Sequence, residues 1–263
     1  MNHVFAICAY KHSPYLTECI RSLEMQTAPS PILLCTATPS PELEELARAH
    51  GLRYCVNHDA PNIAGDWNFA LAQGKAAGAD YVTLCHQDDL YLPDYSASFR
   101  KAAAKDPDLL IYFTDYGEQR GGETVTRSRL LTIKRLLLWR LRVKPWQKSR
   151  WAKRRTLALG DPICCPSVTY HVGKLSLPLF RREMSCSLDW QTWERLSTQP
   201  GRFAYDPQVL MLHRIHQEST TTKVLDEGGR VAQDYAMFRK FWPDWLAKIL
   251  VRLYASSEKS NRL

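Results

Sequence analysis

Tyr81-Val-Thr-Leu-Cys-His-Gln-Asp-Asp-Leu-Tyr-Leu-Pro-Asp94 is an apolar run that ends abruptly in His86, Gln87, Asp88 and Asp89. A buried strand followed at once by two carboxylates puts negative charge at a strand's carboxyl end, the edge where open α/β sheets bind ligands. Adjacent carboxylates there suit Mg2+ or Mn2+, because hard cations take carboxylate oxygens and share their remaining positions with water and substrate phosphates. The competing reading is that Asp88 or Asp89 caps the helix that follows.

Working outward from this junction, the upstream chain alternates strand and helix patterns. Val4–Ala9, Pro31–Cys35 and Leu52–Val56 are short, apolar and β-compatible. Between the first two, Tyr15, Leu16, Cys19, Ile20 and Leu23 fall on one helical face, with Ser13-Pro14 as N-cap and first helical position. Ser40-Pro41 opens a second helix that stops at Gly51. A polar loop from Asn57 to Gly65 leads into a third helix over Asp66–Ala77, with Asp66 as its N-cap. This alternation implies crossover units and a mainly parallel sheet.

Downstream, Asp94–Lys105 reads as a helix, Leu109–Phe113 as a strand and Gly121-Gly122 as a turn. Residues 124–160 carry twelve Lys or Arg and no acid. Removing them from a net charge of +8 leaves −4, so the basicity belongs to that one segment. Leu130, Leu131, Ile133, Leu136, Leu137, Leu138, Trp139 and Leu141 interleave with the charges, which predicts an amphipathic helical hairpin inserted into the fold, broken at Pro145. Ile163–Tyr170 reads as a strand, Leu188–Ser197 as a helix and Val209–His216 as a closing strand. From Ala232 onward, Phe238, Phe241, Trp242, Trp245, Leu246, Ile249 and Leu250 mark a helical tail.

At 263 residues and 45% hydrophobic content the chain is expected to bury a sizeable core. The first ten residues lack the pattern of a signal peptide, and no apolar run is long enough to span a bilayer. Eight cysteines without a Cys-x-x-Cys pair read as reduced thiols, which places the chain in the cytoplasm.

Further constellations carry chemistry. Asn62-Ile-Ala-Gly65-Asp66-Trp-Asn68 is a polar turn into a helix, where first-turn N–H groups receive phosphate or nucleotide polar atoms, or where Asp66 merely caps. Asp189 opens a helix beside Trp190, an environment that raises a carboxylate's pKa toward that of a general base. Arg214 and His216 share one face of the closing strand, a pairing of planar donor fork and imidazole that suits a diphosphate or a metal.

The order of Ala6-Ile-Cys-Ala-Tyr10, Ser13-Pro-Tyr-Leu-x-Glu-Cys-Ile-x-Ser-Leu-x-x-Gln26-Thr, Gly65-x-x-Asn68, Gln87-Asp-Asp-Leu-Tyr-Leu-Pro93, Leu188-Asp-Trp190 and Arg214-Ile-His216-x-x-Ser219 resembles that of bacterial family 2 glycosyltransferases with the GT-A fold. The resemblance covers residues 3–222. It implies an α/β fold with a mostly parallel central sheet and flanking helices, a GT-A domain over 1–222 including the basic insertion, and a helical tail over 223–263. It further implies that Ala9, Tyr10 and Lys11 form the nucleotide-contacting turn, and that Gly65 and Asn68 form the second nucleotide motif. His86, Gln87, Asp88 and Asp89 occupy the family's Asp-x-Asp-Asp positions, which implies His86 and Gln87 in donor binding and Asp88, with Asp89, as metal ligands. Asp189 matches the catalytic base, His216 a metal- or diphosphate-binding position, and Arg214 assists. This sequence departs from the pattern at His86, which replaces the first aspartate, and at Thr36–Ser40, where many relatives carry a base-reading aspartate.

The expected activity is therefore that of an inverting, Mn2+- or Mg2+-dependent hexosyltransferase of cell-surface polysaccharide biosynthesis. It would move a sugar from a nucleotide-sugar donor, a UDP-sugar foremost, to a hydroxyl of a saccharide or lipid-linked glycan. The basic insertion suits peripheral attachment to an anionic membrane, on the inner face of the cytoplasmic membrane, rather than nucleic acid. Two rivals remain at this level: a nucleic-acid-binding module built on the basic segment, and a catalytically degenerate relative, for which His86 is the argument.

Overall fold

The structure is a computed structural model that describes residues 1–216 and 229–259. Its order is β1 (His3–Ala9), α1 (Leu16–Glu24), β2 (Ile32–Thr36), α2 (Pro41–Ala49), β3 (Arg53–Val56), α3 (Ile63–Ala76), β4 (Tyr81–His86), β5 (Leu90–Tyr91), α4 (Tyr95–Ala104), β6 (Leu109–Arg120), β7 (Glu123–Val125), α5 (Arg129–Leu137), α6 (Arg150–Thr156), β8 (Val168–Tyr170), α7 (Leu188–Ser197), β9 (Arg202–Ile215), α8 (Gly229–Arg239) and α9 (Asp244–Lys259).

Among the described residues one sheet runs β3-β2-β1-β4-β8-β6-β9-β5, with β7 paired to β6. The first four strands are parallel, and β8 turns antiparallel between β4 and β6. Strand alternation sends neighbouring side chains to opposite faces. Phe5 and Ile7 join Leu16, Ile20, Leu43 and Phe99 under α1, α2 and α4, while Val4 and Ala6 join Leu71, Leu84, Trp190, Trp193 and Phe238 on the other side. Both faces being covered explains why β1 and β4 read as continuous apolar runs. Helix α3 lies tight on the sheet because Gly74 has no Cβ; one placed there would stand 2.4 Å from Val82 Cγ2.

Several boundaries differ from the sequence expectation. α3 begins three residues before Asp66, with Asn62 as N-cap accepting from Gly65 N at 2.7 Å. Asn62 wins because its extended backbone and short amide side chain meet the third residue of the helix, whereas Asp66 is held in the first turn. α1 starts at Leu16, and Ser13 instead bonds the turn ahead of it through Tyr15 N and Leu16 N. Only Val168–Tyr170 of the 163–170 stretch is strand, after a 3-10 turn over Cys165–Ser167. β6 and β9 are longer than predicted because they pair with each other far beyond the β8 contact.

The basic segment is no protruding hairpin. It holds α5, two 3-10 turns and α6, and it sends Leu131, Leu138 and Leu141 into the cores. Lys153 is fully buried, donating to Gln199 O at 2.7 Å and Gly201 O at 2.8 Å just past α7. Arg135 pairs with Asp115, Lys148 with Asp106, and Arg154 with Glu194. The tail is two helices, α8 and α9, whose Met237, Phe238, Ala247 and Val251 enter the core with α7. The expected boundary at 222–223 and the Ser219–Thr222 end of the closing motif lie outside the described residues. No helix of the described residues is long and apolar enough to cross a membrane, and the eight cysteines are all free thiols.

Candidate active site

The site is built at the carboxyl ends of β1, β2, β3 and β4, where parallel strands leave backbone groups and short loops open to a ligand. Gln87, just past β4, clamps the end of β1: its Oε1 accepts from Tyr10 N at 3.0 Å and its Nε2 donates to Tyr10 O at 3.1 Å. Lys11 follows in the left-handed region at φ 55°, and its N–H donates to Thr38 Oγ1 at 2.6 Å. Thr38 is fixed in turn by its N–H to Thr36 Oγ1 at 3.0 Å. The departure from a base-reading aspartate at Thr36–Ser40 thus has a structural use, since two threonine hydroxyls shape the Lys11 turn.

At the end of β4 the two aspartates part ways. Neither caps a helix, since α4 begins only at Tyr95. Asp88 Oδ2 faces His216 Nε2 at 2.8 Å. Burial opposes ionisation of Asp88, yet the His216 hydrogen bond and the imidazoles of His86, His213 and His216 hold its carboxyl below the usual carboxylate range. Asp89 is 0% exposed, and its Oδ1 accepts from Arg214 N at 2.9 Å and bonds His213 Nδ1 at 2.9 Å. Its Oδ2 is buried without a hydrogen-bond partner, 3.8 Å from His86 Nδ1. Burial depresses the His213 pKa, but Asp89 outweighs it and the net shift is upward.

His86, at the family's first-aspartate position, stacks on Trp67 of α3 with centroids 5.1 Å apart, and its buried Nε2 has no partner. Burial lowers its pKa against the pull of Asp89 and Asp88. Arg214 is already held, with Nε donating to Asp88 O at 2.9 Å, Nη2 to Glu18 Oε2 at 2.5 Å, and the guanidinium 4.3 Å from the Tyr15 ring centroid.

The α3 entrance is equally specific. A Cβ on Gly65 would meet Asn62 Nδ2 at 2.7 Å, so the residue is small to let its own cap fold over it. Asn68 spends its side chain on the chain after β8: Oδ1 accepts from Leu179 N and Phe180 N at 2.7 and 2.8 Å, and Nδ2 donates to Phe180 O at 2.7 Å. An open cleft of about 990 Å³ runs along this face past Asn57, Gly65, Asn68, Phe180, Arg182 and Arg195.

Asp189 sits in the first turn of α7, its Oδ1 accepting from Trp190 N at 2.8 Å. Burial pushes its carboxyl up to about 6, against the pull of Arg230 and Lys134. Asp161 lies close enough to feel its charge, and burial, then Asp189, push it well up. Lys134 of α5 bears on both aspartates, rests 5.3 Å from the Tyr116 ring centroid and also bears on His213, whose ring lies 6.5 Å from that of Tyr116. Lys134 and Tyr116 thus stand between the Asp189 carboxyl and His213 beside Asp89. The sequence motifs contain Glu18 and Trp67 without giving either a role, while Asp161 and Lys134 belong to no motif, Asp161 being the first acid after a long basic run.

The family model for glycosyl transferase family 2 matches residues 4–175. The chain belongs to glycosyl transferase family 2. It is a glycosyltransferase, and the matched stretch carries the Lys11 turn, the Asn62–Asn68 entrance and the β4 aspartates. Asp189, Arg214 and His216 lie beyond it. Solved structures share the fold. S. aureus TarS 1–349 in complex with UDP-GlcNAc superposes with TM-score 0.64 at 14% identity, covering 95% of this chain and 70% of TarS. The mannosyltransferase PcManGT from Pyrobaculum calidifontis in complex with GDP-Man and Mn2+ gives 0.64 at 14%, covering 97% and 69%. Glucosyl-3-phosphoglycerate synthase from Mycobacterium tuberculosis with Mn2+, UDP and its product gives 0.52 at 15%, covering 82% and 72%. No curated protein matches the sequence.

The residues suit a divalent cation in a particular way. Among the described residues no group of three or more His, Cys, Asp or Glu side chains forms a ready metal cage. Asp88 and His216 instead present one carboxylate oxygen and one ring nitrogen to each other. Such a two-residue set leaves most positions to water and donor phosphates, as hard cations in phosphate sites commonly require.

Proposed function

We propose that this family 2 enzyme is a metal-dependent, inverting glycosyltransferase of cell-surface polysaccharide biosynthesis. Its donor is a nucleotide sugar, a UDP-sugar first among them, and its acceptor is a hydroxyl of a saccharide or lipid-linked glycan. The observation that carries the reading is the Asp189 carboxylate at the first turn of α7, its Oδ1 accepting from Trp190 N at 2.8 Å and its partial burial pushing it up to about 6. A base with a pKa near the working pH is well matched to removing a proton from an attacking hydroxyl. Attack opposite the leaving group inverts the anomeric centre.

In this reading Ala9, Tyr10 and Lys11 with Gln87 shape the nucleotide end, and the N-terminal turn of α3 at Gly65 borders it. Asp88 and His216 would hold Mn2+ or Mg2+, while the buried Asp89 orients His213 and Arg214. When bound, such a cation would supply positive charge beside the donor's diphosphate. His86 and Trp67 form a stacked wall where relatives place an aspartate, and Asn68 acts by fixing the Leu179–Phe180 segment. A panel of UDP-, dTDP- and GDP-sugars with Mn2+ tests the reading by nucleotide release. At least one donor is expected to turn over in a metal-dependent way, and no turnover with any of them contradicts it.

The acceptor is placed at the inner face of the cytoplasmic membrane, to which the enzyme attaches peripherally. What supports this is the outer side of the basic segment: Leu136 is 66% exposed, Trp139 44% and Trp151 58%, with Arg140 lying over both tryptophan rings. Apolar and aromatic side chains bury at the headgroup boundary, and each Lys or Arg near an anionic leaflet adds about 1 kcal/mol. Deleting 124–160 would remove core residues, so the test is flotation on anionic liposomes of a Leu136→Glu, Trp139→Glu, Trp151→Glu variant. Flotation equal to wild type counts against attachment through this face.

A further inference from the structure

Three thiols stand in a row across the parallel half of the sheet. Cys8 on β1 is in register with Cys35 on β2, and Cys35 with Cys55 on β3. His86 continues the row on β4. All four lie on the α3 face: Cys8 Sγ reaches Asp66 O at 3.9 Å, Cys35 and Cys55 pack with Ala64 and Leu71, and His86 stacks on Trp67. In-register neighbours on adjacent strands have Cα atoms about 4.8 Å apart, inside the range of roughly 4.4 to 6.8 Å that a disulfide spans.

Cys35 has a neighbouring thiol on each side, and the surroundings favour Cys55. β3 is the edge strand, four residues long, and can yield toward β2 more readily than the central β1. Cys55 keeps 7% of its surface exposed. Its thiol donates to Arg53 O at 3.9 Å, and the neighbouring Cys35 and then Arg53 push it down to about 7 against burial. Burial pushes the Cys8 thiol well up. Cys55, on the edge strand and more exposed than Cys35 at 2%, is the attacking sulfur, a thiolate being the reactive form.

We propose that Cys35 and Cys55 form a modification site, a dithiol that small hydroperoxides convert to a disulfide and whose closure weakens nucleotide binding. The Cys55 thiolate attacks one peroxide oxygen, the O–O bond breaks, and water or an alcohol leaves while Cys55 becomes a sulfenic acid. The Cys35 sulfur then attacks that sulfur, the S–S bond forms, and the hydroxyl departs as water with the Cys35 proton. The two thiols together lose two electrons, which the peroxide gains. Pleated parallel neighbours hold their Cβ atoms farther apart than a relaxed disulfide prefers, so the bond is strained and easily reduced.

The link to binding lies one residue past Cys35 and two past Cys55. Thr36 follows Cys35, its carbonyl accepts from Asn57 N at 2.7 Å, and its hydroxyl holds Thr38, which holds Lys11. Drawing β3 onto β2 disturbs this chain. That consequence rests on the reading of the Lys11 turn as the nucleotide end, whereas the disulfide itself does not.

The test treats the full-length protein with hydrogen peroxide and digests it with trypsin without reduction. Cleavage after Arg21, Arg48, Arg53 and Lys75 leaves Cys35 on peptide 22–48 and Cys55 on peptide 54–75. The expected result is a cross-linked pair of those peptides, absent in Cys55→Ser and in Cys35→Ser. UDP should bind the oxidised protein about tenfold more weakly and recover on adding dithiothreitol. Cross-links through Cys8 or Cys186, or over-oxidation without a cross-link, overturn the site. A 35–55 cross-link with unchanged UDP affinity overturns the coupling. A reduced protein that binds no nucleoside diphosphate at all contradicts the proposed donor instead, and the peptide map then decides the dithiol alone.

Discussion

Replacing Asp189 with Asn separates the base's contribution to catalysis from its cost to folding. The amide keeps an oxygen that can accept from Trp190 N, so the first turn of α7 should survive. It cannot take a proton, and general-base assistance is worth about 10² to 10⁴ in rate, or roughly 3 to 5 kcal/mol of barrier. Stability should move the other way. The folded pKa, about 6, lies above the ordinary aspartate value, so the fold favours the protonated acid. Wild-type stability is therefore lost as pH rises from the ordinary aspartate pKa through about 6, by at most about 3 kcal/mol. Asp189→Asn lacks that loss and should be the more stable protein at pH 7.5 and no more stable at low pH. Nucleotide release measured from pH 5 to 8 should show an acid limb near 6 in wild-type kcat/KM, and urea unfolding at the two pH extremes reads the stability difference. Near wild-type turnover by the variant would refute the assignment of the base.

Asn68→Ala cuts three hydrogen bonds between α3 and Leu179–Phe180 and leaves backbone groups unpaired. It should cost about 1 to 3 kcal/mol in urea unfolding, and an unchanged midpoint would show that this tie is dispensable. Burial, with help from Arg150, pushes the Lys153 ammonium down to about 8, below its unfolded value. The folded state then holds fewer protons, so wild-type stability relative to Lys153→Met should rise by about 3 kcal/mol between pH 8 and the ordinary lysine pKa. A pH-independent difference would show that the side chain is solvated.

The alternation that predicted crossover units was legible because both faces of β1, β2 and β4 are buried and their apolar runs are uninterrupted. The β4 junction could be read for the same reason, since polarity changes within one residue at Cys85-His86. What escaped was set by contacts distant in sequence. Asn62 rather than Asp66 caps α3 because of a local backbone angle that composition does not encode. The basic segment looked like a free amphipathic hairpin because its pairing partners Asp106, Asp115 and Glu194 lie elsewhere in the chain. Asp88 and Asp89 were indistinguishable as neighbours in sequence. Their opposite fates, one facing His216 and one sealed under His213 and Arg214, depend on where β9 ends.

Asp88, with His216, is the pair proposed to bring a divalent cation to the donor's diphosphate. Calorimetric titration of UDP with and without Mn2+ tests this role on wild type and Asp88→Ala. Mn2+ should tighten UDP binding to wild type by at least about tenfold, or 1.4 kcal/mol, and leave Asp88→Ala unaffected. Equal UDP affinity with and without Mn2+ in wild type, or an Mn2+ effect that survives in Asp88→Ala, would contradict the account.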